Sequence, residues 1–184
     1  AVGDGYNETQ VYSQVIIRTS TTTPKWHLIT RYIALFDTST IQGKFIIQGA
    51  TLSLWGTEKY QGLSANPEIA IYASNPASNT GLAATDYSTI GVLIRSNALK
   101  YSDYVVNGWN DFTLNSDGIA LIARNPITKL ALRLVNDAAD TPPSWANDKF
   151  DGFGFKTAEA VDTSHKPKLV VTYENITGGG AQII

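Results

Sequence analysis

The sequence predicts an all-β fold, two antiparallel sheets packed as a sandwich with one short helix. Three observations carry that prediction. Short runs of alternating or β-branched apolar residues recur along the whole chain. Gly, Pro and Asn punctuate them as turn formers. No internal repeat or linker divides the 184 residues, an amount of chain that suits one domain. That domain is expected over 1–174, followed by a Gly-rich tail over 175–184.

In order, Val11 to Thr19 (VYSQVIIRT) reads as a strand rich in β-branched residues, closed by the polar turn Ser-Thr-Thr-Thr-Pro. Leu28 to Phe36 (LITRYIALF) is nearly continuous apolar sequence, the pattern of one strand buried on both faces or at a sheet centre. Asp37-Thr38-Ser39-Thr40 breaks it with side chains that bond local backbone. Ala50 to Trp55 alternates, with Leu52 and Leu54 on one face, and Gly56 ends the run. Glu68 to Tyr72 is a short strand between two Asn-Pro steps, and residues 75–91 read as a long surface connection.

Tyr101 to Val106 and Trp109 to Leu114 flank Asn107-Gly108, a hairpin signal. The one helix falls between Asn115 or Ser116, either of which can cap it, and Asn125, since Pro126 forbids continuation. Asp117 suits its positive end, and Ile119, Leu121 and Ile122 give it an apolar side. Lys129 to Val135 alternates and points Leu130, Leu132 and Leu134 at the core. Phe150 to Phe155 and Leu169 to Tyr173 complete eight or nine strands. A sandwich is preferred to a closed barrel, because some strands alternate while others are apolar throughout.

Composition excludes several chemistries. With no Cys there is no disulfide scaffold, thiolate metal site, Cys nucleophile or redox dithiol. A net charge of −2 and a pI near 5.6 argue against a broad nucleic-acid footprint. No apolar run approaches the ~18 residues of a membrane-spanning helix, so membrane insertion is not expected. The sequence has no Met and begins at Ala1, which suits either Met removal or cleavage of a signal peptide.

No catalytic constellation is legible, and the protein is expected not to be an enzyme. His27 and His165 read as surface or turn residues with no triad partner in sequence. The acids lie mostly in turns, and nothing singles out the pair that a glycosidase needs. A calcium site is chemically better suited, because hard cations take six to eight oxygens from loop Asp, Asn and carbonyl groups. Asp137, Asp140 and Asp148 mark the densest such stretch, although plain polar loops explain it as well. No other cofactor is indicated.

Sugar binding needs exposed rings for stacking. Trp145, in the stiff Thr-Pro-Pro-Ser-Trp loop, is the first candidate, followed by Trp26 and Tyr60, whereas Trp55 and Trp109 read as core. Trp145 reads equally as a cap on the end of the sandwich. The triple-Gly tail is either a disordered terminus or a docking segment that anchors on a neighbouring subunit through Ile183 and Ile184.

Several segments, taken together, resemble one family. Arg31 to Ile41, Gly49 to Gly56, Gly108 to Asn115, Thr128 to Arg133 and Lys166 to Tyr173 are similar, in order and spacing, to the jelly-roll domains of the DNRLRE type. The likeness spans about residues 28–173. Such domains occur in secreted bacterial, carbohydrate-binding-module-like and phage-associated proteins. The resemblance implies a non-catalytic β-sandwich and transfers no ligand site.

The first expectation is therefore a structural and interaction protein on a virion or cell surface, in contact with copies of itself or other structural subunits. An extracellular, cell-surface or virion location goes with it. The alternative is a carbohydrate-binding module that recognises surface glycans, and a glycosidase or lyase comes third.

Overall fold

The computed structural model describes residues 3–41, 45–63, 66–122, 126–175 and 181–183. They form an all-β sandwich of two antiparallel sheets. Eleven strands are described: β1 Tyr12–Thr19, β2 Trp26–Ile29, β3 Tyr32–Asp37, β4 Phe45–Gln61, β5 Glu68–Ala73, β6 Leu99–Lys100, β7 Trp109–Thr113, β8 Ile127–Leu134, β9 Phe150–Lys156, β10 Lys168–Asn175 and β11 Ala181–Ile183. The smaller sheet runs β3-β8-β5-β6. The larger runs β11-β10-β4-β9-β1-β2, with β7 also paired to β4.

The alternation read from sequence sets the core. Leu52 and Leu54 of β4 face Leu130, Leu132 and Leu134 of β8 across the sandwich, joined by Val15, Ile17, Ile69, Ile71, Phe112, Phe153 and Phe155. All are buried, and each contributes about 1.5–3 kcal/mol by leaving water. A smaller cluster of Ala70, Tyr72, Ile90 and Ala131 covers the outer side of the smaller sheet. The helix expected after Leu114 is α1, Ser116–Ile122. Asn115 caps it, accepting the Gly118 N–H at 2.9 Å. A second, one-turn helix, α2 (Val135–Ala138), follows β8 directly.

Three expectations are corrected. The apolar run 28–36 is not one strand but two, in different sheets. Thr30 divides it: its hydroxyl donates to the Gln14 carbonyl at 2.8 Å and accepts the Ile16 N–H at 3.0 Å, fixing the chain to β1 before it crosses over. Residues 101–106 form turns instead of a strand. The Asn107-Gly108 pair does not close a hairpin there but docks on β4, where Asn107 N–H bonds Gly56 O and Gly56 N–H bonds Gly108 O, both at 2.9 Å. Third, β4 continues past Gly56 to Gln61. A Cβ on Gly56 would stand 2.2 Å from the Val105 carbonyl, so the glycine permits this close approach and does not end the strand.

Within the segment expected as a tail, Asn175 is the last residue of β10, and Ala181–Ile183 folds back on it as β11. Ile183 lies opposite Thr172, whereas Ile184 falls outside the described residues.

Candidate functional site

The sandwich closes unevenly. β3 pairs with β8 on one side, and among the described residues its other side carries no strand. Along that free edge runs a groove of about 310 Å³. Every residue from Arg31 to Phe36 lines it, so the groove follows the strand backbone itself. Gly5 to Glu8, Gln10 and Tyr12 also line it, in a segment held by Thr157, whose N–H bonds the Val11 carbonyl at 3.1 Å and whose hydroxyl donates to Gln10 O. Residues 80–84, 86 and 87 close one side, where the Glu8 carboxylate accepts the Leu82 N–H.

The floor is apolar, with Ile33 and Leu35 on the outer side of β3. Tyr6 and Tyr12 stand on the rim, 60% and 55% exposed. Glu8 and Glu159 add exposed carboxylates. Burial, with the nearby negative charge of Glu159 second, pushes the Tyr32 hydroxyl up to about 12, so this tyrosine, whose ring packs on Phe155 at the core, stays neutral. Sequence reading missed the groove, because it arises where β2 and β3 part into different sheets, a split the continuous apolar run concealed.

Beneath the groove lies a buried ion network. Arg31 grips Asp137 with two hydrogen bonds, and Arg133 donates to the same carboxylate at 2.9 Å. The Arg31 guanidinium also covers the Tyr87 ring at 3.9 Å. Burial acts to raise the Asp137 carboxyl, but the bonds and charges of the two arginines outweigh it and hold it below the usual carboxylate range.

The calcium residues do not converge. Asp137 is committed to the two arginines. Asp140 stands exposed in a turn with φ 53°, and Asp148 pairs with Arg18 at 2.8 Å. Among the described residues no group of three His, Cys, Asp or Glu side chains is placed to hold a metal ion.

The sugar candidates Trp26 and Trp145 are brought to one end of the larger sheet. Trp26 lies opposite Thr19, whose hydroxyl donates to Ala146 O beside Trp145. Trp26 packs half-buried on the core, and the Trp145 indole N–H donates to Lys25 O at 3.0 Å. Tyr60 packs on Phe150, ring centres 4.4 Å apart, and donates to the Glu58 carboxylate. That hydrogen bond first, and burial second, raises its hydroxyl to about 12. The polar atoms of Trp145 and Tyr60 thus have partners within the chain.

Trp55 and Trp109, read from sequence as core, are half-buried instead. As cross-strand partners in β4 and β7 they meet edge to face at 5.5 Å. His165 stacks on Trp55 at 3.7 Å, and the Lys168 ammonium sits over Trp109 at 3.8 Å. His165 also bonds Asp162, whose carboxylate is lowered chiefly by Ser164. The rings are thereby covered by the chain's own cations and imidazole.

One more surface stands out. Gly91 N–H bonds Ala73 O at 2.9 Å and Arg95 N–H bonds Ile71 O at 2.7 Å, so residues 91 and 95 anchor on β5 and Ile94 bridges Tyr72, while Val92 and Leu93 bend outward between them. Between these anchors Val92, Leu93 and Ile94 are 61%, 64% and 38% exposed. No helix among the described residues is long and apolar enough to cross a membrane. No protein-family model matches the chain, and no curated protein matches it. The likeness to DNRLRE-type modules therefore rests on the sequence motifs.

Proposed function

We propose that this protein is a non-catalytic structural subunit, displayed outside a cell or on a virion, that assembles with copies of itself or with other structural subunits. The observation that carries this reading is the free edge of β3 opening onto an apolar-floored groove. An uncovered edge strand offers a row of backbone donors and acceptors to another chain, and monomeric proteins usually blunt such edges with charge, Pro or a bulge. Here residues 32–36 carry no charged side chain and no Pro. Strand addition at such an edge gives affinity through the backbone and specificity through side-chain pockets. The exposed tyrosines on the rim suit an interface, since Tyr is among the residues that dominate binding energy. Display outside the cell is supported by the resemblance to modules of secreted and phage-associated proteins.

The test is light scattering and negative-stain microscopy over rising protein concentration, run beside a glycan array. Oligomers or filaments that grow with concentration are expected. A monomer at every concentration overturns assembly with copies of itself. If that monomer also binds a glycan, and Trp145→Ala abolishes the binding, the protein is a carbohydrate-binding module.

A further inference from the structure

We infer that Asn107 is the site at which this chain deamidates, by closing a cyclic imide with the backbone nitrogen of Gly108. The inference is independent of the assembly reading. Of all the Asn residues in the chain, only Asn107 is followed by Gly. A side chain at the following position would crowd the attack of its nitrogen on the Asn amide, and glycine carries none. Packing demands that glycine, since a Cβ on Gly108 would stand 2.5 Å from Val105 Cγ1. Asn107 itself is exposed in a turn, with φ 58°, a left-handed conformation that Asn adopts more readily than most residues. Among the described residues neither its side-chain amide nor the Gly108 N–H has a hydrogen-bond partner. Other amides are tied down: Asn7 Oδ1 accepts the Thr9 N–H, Asn97 Oδ1 accepts the Thr113 N–H, and Asn115 Oδ1 caps α1. Asn110 bonds both Val105 and Gly108.

The step needs only hydroxide and water. Hydroxide removes the Gly108 amide proton, the nitrogen attacks Asn107 Cγ, a C–N bond forms, and the side-chain nitrogen leaves as ammonia. Water then opens the imide at either carbonyl. Opening at Cγ leaves an aspartate in the ordinary backbone, whereas opening at the main-chain carbonyl reroutes the chain through Cγ as isoaspartate. Either product adds one negative charge to a chain of net charge −2. Isoaspartate also inserts a methylene between the two atoms that hold this turn on β4. Those atoms are the Asn107 N–H on Gly56 O and Gly108 O on the Gly56 N–H, both at 2.9 Å. The lengthened chain no longer fits both bonds to one residue, so the 105–108 turn loosens from β4.

The test holds the folded protein in mildly alkaline buffer beside a synthetic peptide spanning Tyr104 to Asp111, which serves as the clock. Peptide mapping by mass spectrometry locates each amide-to-acid exchange, and isoaspartyl methyltransferase labelling detects the rerouted product. Asn107 is expected to convert before any other Asn, at a rate within about 10-fold of the peptide's, because an exposed turn needs little local opening. Asn107→Gly, which adopts the same left-handed backbone freely, is expected to gain no acid in this segment. A slower conversion of Asn107, or an earlier one at another Asn, overturns the inference. The isoaspartyl form is then separated by ion exchange and compared with Asn107→Asp by hydrogen exchange. Faster exchange of the Gly56 amide in the isoaspartyl form is expected, and equal exchange overturns the loosening of the turn.

Discussion

Arg31 and Asp137 meet through two hydrogen bonds, Nε to Oδ2 at 2.8 Å and Nη2 to Oδ1 at 2.9 Å, on side chains only 12% and 7% exposed. Arg133 Nε shares Oδ2 at 2.9 Å. One carboxylate thus ties the residue that begins the β3 edge to α2 and to β8, and it sets the wall on which the groove is built.

Asp137→Asn leaves two buried guanidinium groups without their counter-charge. Breaking a buried pair typically costs about 3–5 kcal/mol, and urea unfolding at neutral pH is expected to show a loss of that order. The sign with pH follows from the direction of the shift. The carboxyl is held below its unfolded value, so its stabilisation is complete above the usual carboxylate range and disappears as pH falls through the folded value. The gap between wild type and Asp137→Asn therefore narrows on acidification. A constant gap contradicts the account.

Gly56→Ala tests the docking of residues 105–108 on β4. The new methyl would meet Val105 O at 2.2 Å and the Asn110 amide at 2.7 Å, and neither can easily withdraw, because Asn110 also bonds Val105 and Gly108. Overpacking of this kind costs about 1–3 kcal/mol, a fall in Tm of roughly 2–12 °C for a domain of this size. Calorimetry reads it directly, and an unchanged Tm would show that the loop shifts freely.

At the alkaline end, Tyr32, Tyr60 and Tyr72 each ionise near about 12 in the folded protein. Burial leads the shift at Tyr32 and Tyr72, and the Glu58 hydrogen bond leads it at Tyr60. Their folded values lie above the unfolded value near 10, so their stabilisation is present below pH ~10 and is lost as pH rises towards 12. Part of the phenolate absorbance, that of these three tyrosines, is expected to rise only as pH approaches about 12. A single step centred near pH ~10 in folded protein would contradict these environments.

Trp145→Ala removes the indole bond to Lys25 O. It is expected to lower stability by about 1 kcal/mol and to leave self-association unchanged, because Trp145 does not line the groove. A loss of assembly in this variant, measured by light scattering, would move the interface to the other end of the molecule.

Much of the sandwich was legible because alternation maps onto one buried face. Leu52 and Leu54, and Leu130, Leu132 and Leu134, are buried as their spacing demanded. Local chemistry narrowed the N-cap to Asn115 or Ser116, and Asn115 fills it. What sequence could not convey was long-range. The crossover at Thr30 depends on bonds to Gln14 and Ile16 of another strand. Asn107-Gly108 has the composition of a hairpin turn, but its backbone partner is Gly56, far away in the chain. The half-buried state of Trp55 and Trp109 depends on His165 and Lys168 arriving from the loop before β10 and from its first residue. The groove itself is the space left where two sheets diverge, and no single segment encodes it.

The most direct measurement is hydrogen–deuterium exchange of the β3 amides, Tyr32 to Asp37, at low and high protein concentration. If molecules join through this edge, protection of β3 rises with concentration while the buried amides of β8 on its other side stay as they were. Equal exchange of β3 at both concentrations, in protein that is visibly associated, would contradict the assignment of this edge as the joining surface.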